Sequence, residues 1–242
     1  MVNPVLVALD VPTAEEAVRL AEAVAPHVGG FKVGLGLLHG PGPGTVCALA
    51  SLGKPVFADA KLHDIPSQVE AAAARLGALG ARWVTTHATG GSAMIEAAVR
   101  GLDRGSAGGA GVLAVTVLTS LDAADLAALG FNQTPGKLVS RLAKLAAHSG
   151  VEGVVCSPAE LGVVAAVAPE LTKVTPGIRP TDPDASGDDQ RRIATPQEAA
   201  ARGADWLVIG RPITKARDPV AAAAAISATL RELGNTAADP TD

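Results

Sequence analysis

Eight short apolar runs, each followed by a stretch with helical periodicity, constrain this 242-residue chain more than any other feature. The runs are Val5 to Leu9, Phe31 to Leu35, Val56 to Lys61, Trp83 to His87, Val112 to Leu118, Gly153 to Cys156, Lys173 to Ile178 and Trp206 to Ile209. They are apolar almost throughout rather than at alternate positions, as strands are when helices cover both faces of a parallel sheet. Between them lie Ala/Leu/Glu-rich segments that predict helices, among them Ala14 to Ala25, Val69 to Leu79, Lys137 to Ala147, Ala159 to Val167, Pro196 to Arg202 and Pro219 to Leu233. Eight strand-helix units in about 250 residues is the arithmetic of a (β/α)8 TIM barrel of the α/β class, expected here as a single domain over residues 1–242. A doubly wound open sheet is the alternative, and it calls for a glycine-rich phosphate turn after an early strand. Gly34-Leu-Gly36-Leu-Leu-His-Gly40 misses that spacing by one residue.

Composition narrows the function classes. Apolar residues make up 48% and charged residues 18%, a profile that folds, and the many small residues suit tight helix-on-strand packing. A net charge of -4 and a pI near 5.7 provide no basic field for an extended nucleic-acid surface, although a local phosphate site remains open. Cys47 and Cys156 lack metal-ligand or disulfide-framework spacing and are expected as buried thiols. The start, Met1 to Asp10, lacks the basic region of a signal peptide, and no apolar run approaches about 20 residues, so no membrane segment is expected. A cytoplasmic location is the simplest expectation.

Polar residues collect where a barrel places its chemistry, at the C-terminal ends of the strands. Asp10 follows the first run, Lys32 lies in the second, Asp59 and Lys61 end the third, and His87 ends the fourth. Thr119 and Ser120 follow the fifth, Arg179 the seventh, and Gly210-Arg211 the eighth. In a regular strand Asp59 and Lys61 share one face about 7 Å apart. Alone they read equally well as a structural ion pair. With Asp10 and Lys32 on adjacent strands, they form an acid-base alternation more characteristic of a site than of a stability device.

Other residues leave alternatives open. Asp64, followed by Ile65-Pro66 and a helical run, fits a helix N-cap, and it also fits a carboxylate completing a site. Gly210-Arg211 at a strand-to-helix turn fits a phosphate site, with Arg179 and Gln190 around the preceding loop in support, whereas Arg211 alone is equally a surface residue. His27 and His39 fall in connections, His148 at a helix C-terminus, and His63 and His87 near the barrel mouth without the spacing of a zinc pair. Neither a GxSxG elbow nor a GxxxxGK[ST] loop is present. Asp103 to Ala110 reads as a flexible connection, residues 235–242 as a frayed tail, and Pro180 to Gln190 as a lid-length loop.

Taken together these motifs resemble the orotidine 5'-phosphate decarboxylase family over nearly the whole chain. The resemblance rests on Ala8-Leu-Asp10, Phe31-Lys32-Val-Gly34, Asp59-Ala-Lys61-Leu-His-Asp64-Ile-Pro66, Val115-Thr-Val-Leu-Thr-Ser120, Thr175-Pro176-Gly-Ile-Arg179-Pro180, Asp189-Gln190 through Pro196, and Val208-Ile-Gly-Arg-Pro-Ile-Thr214. It implies decarboxylation of orotidine 5'-monophosphate (OMP) to UMP in pyrimidine biosynthesis without a cofactor or metal. Lys32, Asp59, Lys61 and Asp64 would form the catalytic array, with Asp64 donated by the second subunit of a homodimer. Asp10 and Lys32 would hold the ribose, and Ile65 and Pro66 would line the pyrimidine pocket from the partner chain. Thr119 would lie near the base, with Pro176 also in the substrate pocket, and Arg179, Gln190, Gly210 and Arg211 would grip the phosphate. The family commonly has Asn-Thr after Asp-Ile-Pro, where this chain has Ser67-Gln68, so Gln68 stands where a ribose contact is usual. Metal-dependent sugar-phosphate decarboxylases and synthases on the same barrel are the rival implied by the DxKxxD motif. They place a Glu on the second strand to help hold Mg2+, at the position that Lys32 occupies here. A catalytically silent sugar-phosphate-binding barrel is a third reading, and the complete Asp/Lys set argues against it.

Overall fold

The computed structural model describes residues 3–180 and 193–236, with side chains through residue 233. The eight strands are β1 (Val5–Ala8), β2 (Gly30–Val33), β3 (Val56–Leu62), β4 (Trp83–His87), β5 (Gly111–Val115), β6 (Gly153–Val155), β7 (Thr172–Thr175) and β8 (Trp206–Ile209). They pair in parallel in chain order, and β8 returns to β1 with Leu6 opposite Val208, which closes the barrel and excludes the open sheet. The helices are α1 (Ala14–Val24), α2 (Leu35–His39), α3 (Gly44–Ala50), α4 (Pro66–Ala78), α5 (Ser92–Gly105), α6 (Ala123–Ala128), α7 (Pro135–His148), α8 (Leu161–Val167), α9 (Pro196–Ala201), α10 (Arg211–Thr214) and α11 (Pro219–Thr236). None of the described helices is long and apolar enough to cross a membrane.

Strand alternation sorts the apolar side chains into two clusters. Val5, Val7, Leu9, Phe31, Val33, Val84 and Ile209 point outward into a belt shared with the helices. Leu6, Ala8, Phe57, Trp83, Leu113, Val174 and Val208 point inward and fill the barrel. Each strand is therefore flanked by apolar packing on both faces along most of its length, which is why the runs lack polar alternation. Small residues let α4 and α5 approach closely: a Cβ on Gly101 would lie 2.1 Å from the Glu70 carbonyl oxygen, and one on Gly105 2.0 Å from that of Ala74.

The N-terminal end of the barrel is closed by a polar brace around two indoles. Glu152 accepts hydrogen bonds from both terminal nitrogens of Arg82 at 2.6 and 2.7 Å, and from the Trp83 indole at 2.8 Å. The Arg82 guanidinium lies 4.5 Å above the Trp83 ring, which meets Trp206 edge-on at 5.1 Å.

Several expectations need correction. Residues 103–105 of the anticipated connection are the last turn of α5, held in helix because Gly105 packs on α4. Asn235 and Thr236 continue α11 rather than fraying, whereas residues 237–242 lie outside the described residues. Cys156 is buried as expected, but Cys47 is exposed on the outer side of α3. His27 and His39 fall in connections as expected, each at the end of a short helical turn, and His148 ends α7 as expected.

Replacing Glu152 by Ala removes three charge-assisted hydrogen bonds, two of them from a guanidinium, at the end opposite the charged array. The expected loss is about 1–3 kcal/mol of unfolding free energy by urea denaturation, with steady-state turnover unchanged. An equal loss of turnover in folded protein would show that the two ends are not independent.

Candidate active site

The charged array depends on an irregularity in β3. Pairing with β4 runs Phe57 to Trp83 and Ala58 to Val84, then shifts to Leu62 opposite Thr86. Three residues, Asp59, Ala60 and Lys61, thus lie opposite the single residue Thr85, and the strand bulges. Lys61 takes a left-handed backbone conformation (φ 47), the only described non-glycine residue to do so. The regular-strand expectation for Asp59 and Lys61 is therefore replaced by a tighter arrangement in which the Lys61 ammonium bends back onto its neighbour.

Lys61 Nζ lies 2.6 Å from Asp59 Oδ2, Lys32 Nζ lies 3.7 Å from the same oxygen, and Lys32 Nζ reaches Asp10 Oδ1 at 3.3 Å. The order Asp10, Lys32, Asp59, Lys61 is a continuous alternation across β1, β2 and β3. Gly34 makes room for it, since a Cβ there would sit 2.9 Å from Lys32 Nζ and 3.0 Å from Asp10 Oδ1. Burial by itself raises the pKa of Asp59, but the charges of Lys32 and Lys61, with hydrogen bonds from Lys61 and Thr85, outweigh it and hold the carboxyl below the usual aspartate range. Burial, then the charges of His63 and Lys61, lowers the pKa of His87, against a smaller opposing effect of Asp59; the two imidazoles lie 5.4 Å apart.

A cavity of about 560 Å³ opens above this array. Asp10, Lys32, Asp59 and Lys61, from the ends of β1 to β3, line it together with Arg179, Gly210 and Arg211, from the ends of β7 and β8. Thr119 and Pro176 also line it, so nine of the residues singled out in the sequence share one cavity. Apolar walls come from Phe57, Val117, Leu118, Val155 and Val208. Cys156 is at the wall too, and burial first, with the Glu160 charge, pushes its thiol up to about 12, so it stays protonated. Lys215, one turn beyond Arg211, is a further cation at the rim that spacing alone did not single out.

Residues 3–226 match the model of a protein family described as "Orotidine 5'-phosphate decarboxylase / HUMPS family". The chain belongs to the orotidine 5'-phosphate decarboxylase / HUMPS family. Among its relatives, orotidine 5'-phosphate decarboxylase of Anaeromyxobacter sp. (strain K) is 54% identical over 224 residues, covering 92% of this chain and 96% of the relative. The Thermobifida fusca (strain YX) protein of the same name is 48% identical, covering 97% and 98%. The crystal structure of orotidine 5'-phosphate decarboxylase from Lactobacillus acidophilus superimposes with a TM-score of 0.81 at 38% identity, over 93% of this chain and 98% of that one.

In this member of the orotidine 5'-phosphate decarboxylase / HUMPS family, four expected site residues stand apart from the chain's own cavity. Asp64, Ile65, Pro66 and Gln68 are all exposed, with Ile65 63% accessible. Asp64 is not the N-cap of α4: that position is Ile65, no side chain caps it, and Asp64 Oδ1 accepts only the Ile65 N–H at 2.6 Å. Proline at the first helical position explains the shift by one residue, because it needs no N–H partner. Gln190, and the loop from residue 181 that was expected to form a lid, lie outside the described residues.

The lowered pKa of Asp59 has a stability consequence of definite sign. Its contribution is fully present above the ordinary aspartate value of 3.8 and is lost as pH falls from there through the lowered folded value. In Asp59→Asn the lysines lose their counter-charge, so the variant should be less stable than the parent by a margin that is flat between about pH 5 and 8 and narrows below about pH 4. Urea denaturation of both proteins across that range measures the margin. A margin unchanged at low pH would show that charge at Asp59 is not its source.

Proposed function

We propose that this chain, as one barrel domain over residues 1–242, decarboxylates OMP to UMP in pyrimidine biosynthesis, using its own side chains and no metal. The observation that carries the reading is the carboxylate of Asp59 held between two ammonium groups in a cavity that Arg179 and Arg211 also line. A phosphate at the arginines and a reacting carbon at Lys61 are the two ends of one substrate. The family membership and the relatives' names support the same activity.

The chemistry follows from where charge develops. Breaking the bond from C6 to the carboxylate releases CO2 and leaves the electron pair on C6 in an orbital outside the π system, so an adjacent fixed cation is the effective stabiliser. Lys61 supplies that charge, then transfers a proton from Nζ to C6, giving UMP, and is reprotonated from solvent. Asp59 faces the departing carboxylate and destabilises the bound substrate more than the charge-dispersed transition state. Lys32 and Asp10 orient the ribose hydroxyls, Lys32 also keeps Asp59 ionised beside Lys61, and Thr119 and Pro176 position the base. Lys32 Nζ occupies the second-strand position at which metal-dependent relatives need a carboxylate, and its contacts with Asp10 and Asp59 support the metal-free reading.

Phosphate binding falls to Arg179, Arg211, the backbone of Gly210, and Gln190. A Cβ at Gly210 would make only ordinary contacts within the chain, the nearest at 3.5 Å from Ala8. The bare backbone there is therefore explained better by what enters the cavity than by packing. Energy from these remote contacts organises the reacting end. Asp64, Ile65, Pro66 and Gln68 are exposed and do not line the chain's own cavity, which supports their delivery to a second copy in a homodimer with composite sites.

Purified protein is expected to consume OMP and form UMP in the presence of EDTA, followed by the loss of substrate absorbance. No turnover under those conditions would overturn the reading. Lys61→Ala should lower kcat by at least about 10³-fold with little change in KM, whereas Arg211→Ala should raise KM about 10- to 100-fold and lower kcat as well, because its contact helps to organise the reacting end. Mixing Lys61→Ala and Asp64→Asn chains should restore activity through hybrid dimers with one intact site. Absence of recovery after proven subunit exchange would remove Asp64 from the catalytic array.

A further inference from the structure

Thr85 carries no ionisable group and lies in the middle of β4, fully buried. It is nevertheless the residue that both members of the reactive pair touch. Its Oγ1 accepts the backbone N–H of Lys61 at 2.8 Å and donates to Asp59 Oδ1 at 3.0 Å. We propose that Thr85 is the positioning residue of the Asp59 and Lys61 pair, its one hydroxyl fixing the backbone of the lysine and the orientation of the carboxylate together.

The bulge creates the need. With Asp59, Ala60 and Lys61 set against one residue of β4, the ladder offers no regular partner to the Lys61 N–H, and a buried donor without a partner is costly. A threonine hydroxyl has one proton and two lone pairs, so it can accept from Lys61 and donate to Asp59 at the same time. Because that proton goes to Oδ1, Oδ2 is the oxygen left for both ammonium groups, Lys61 at 2.6 Å and Lys32 at 3.7 Å. The same hydroxyl stabilises the left-handed backbone at Lys61, a conformation unfavourable for a residue other than glycine. Thr86 secures the far side of the bulge, donating from Oγ1 to the Leu62 carbonyl at 2.9 Å. Without the Thr85 hydroxyl, Lys61 relaxes toward ordinary strand geometry and its ammonium leaves the position that C6 requires. A displacement of about 1 Å in a reacting group is enough to cost on the order of 100-fold in rate.

This role rests on the decarboxylase reading above. The test compares Thr85→Val, which keeps the shape and removes the hydroxyl, with Thr85→Ser, which keeps the hydroxyl and removes the methyl. Thr85→Val should lose about 10- to 100-fold in kcat for OMP with KM within about threefold of the parent, because the phosphate contacts are untouched. Thr85→Ser should stay within about threefold on both parameters. Circular dichroism and urea denaturation establish that each variant is folded, and if the valine variant is not, Thr85→Ala takes its place under the same criteria. A hydroxyl-free variant that keeps the parental kcat, a serine variant that falls as far as it does, or a loss expressed in KM would each overturn the role. A parent protein inert toward OMP would instead overturn the functional reading itself.

Discussion

The carboxylate of Asp59 is buried at the rim of the barrel, where an isolated negative charge would cost several kcal/mol of solvation. Two ammonium groups on adjoining strands meet one of its oxygens, and a threonine hydroxyl from the next strand meets the other. None of these partners is close to it in sequence except Lys61. Lys32, Asp59 and Thr85 come from β2, β3 and β4, so the charge is tolerable only once three consecutive strands are in register. Site formation and the alignment of these three strands are in this sense one event.

Stability and chemistry are divided between the two ends of that barrel. At the N-terminal end, Arg82, Glu152 and the two indoles satisfy one another and seal the interior. At the C-terminal end, buried charges converge, a strand bulges and a lysine adopts an unfavourable backbone conformation. Strain is concentrated where groups must be held in place for reaction, and the remainder of the scaffold is regular enough to hold it.

Much of this was legible in residue patterns. The runs from Trp83 to His87 and from Trp206 to Ile209 match β4 and β8 at both ends, because Arg or Asp before each and a turn after it mark the limits. Runs one, two, five, six and seven extend past their strands: Leu9, Val117, Cys156 and Ile178 are apolar and buried, yet lie past the last ladder pair. Apolarity reports burial, and burial continues beyond the hydrogen-bonded strand. The charged residues of the cavity could be named because ions at the ends of apolar runs are conspicuous. Thr85 could not be, since threonine is an ordinary strand residue and its role depends on a register shift that no local pattern records. The N-cap reading of Asp64 failed through a one-residue displacement that Pro66 imposes on the start of α4.

The inward cluster of Leu6, Ala8, Phe57, Trp83, Leu113, Val174 and Val208 has a consequence for traffic. It makes the space above it a blind cup rather than a passage, so whatever enters departs through the same opening. A gas molecule formed at the lysine wall has to slip past the nucleotide still seated above it, or wait for that nucleotide to go. On the proposed reading, in which Arg179 and Arg211 hold the phosphate, the order of departure is set by how firmly those arginines retain the product. The rate at which the cup empties then depends on residues other than those at the bond that was broken.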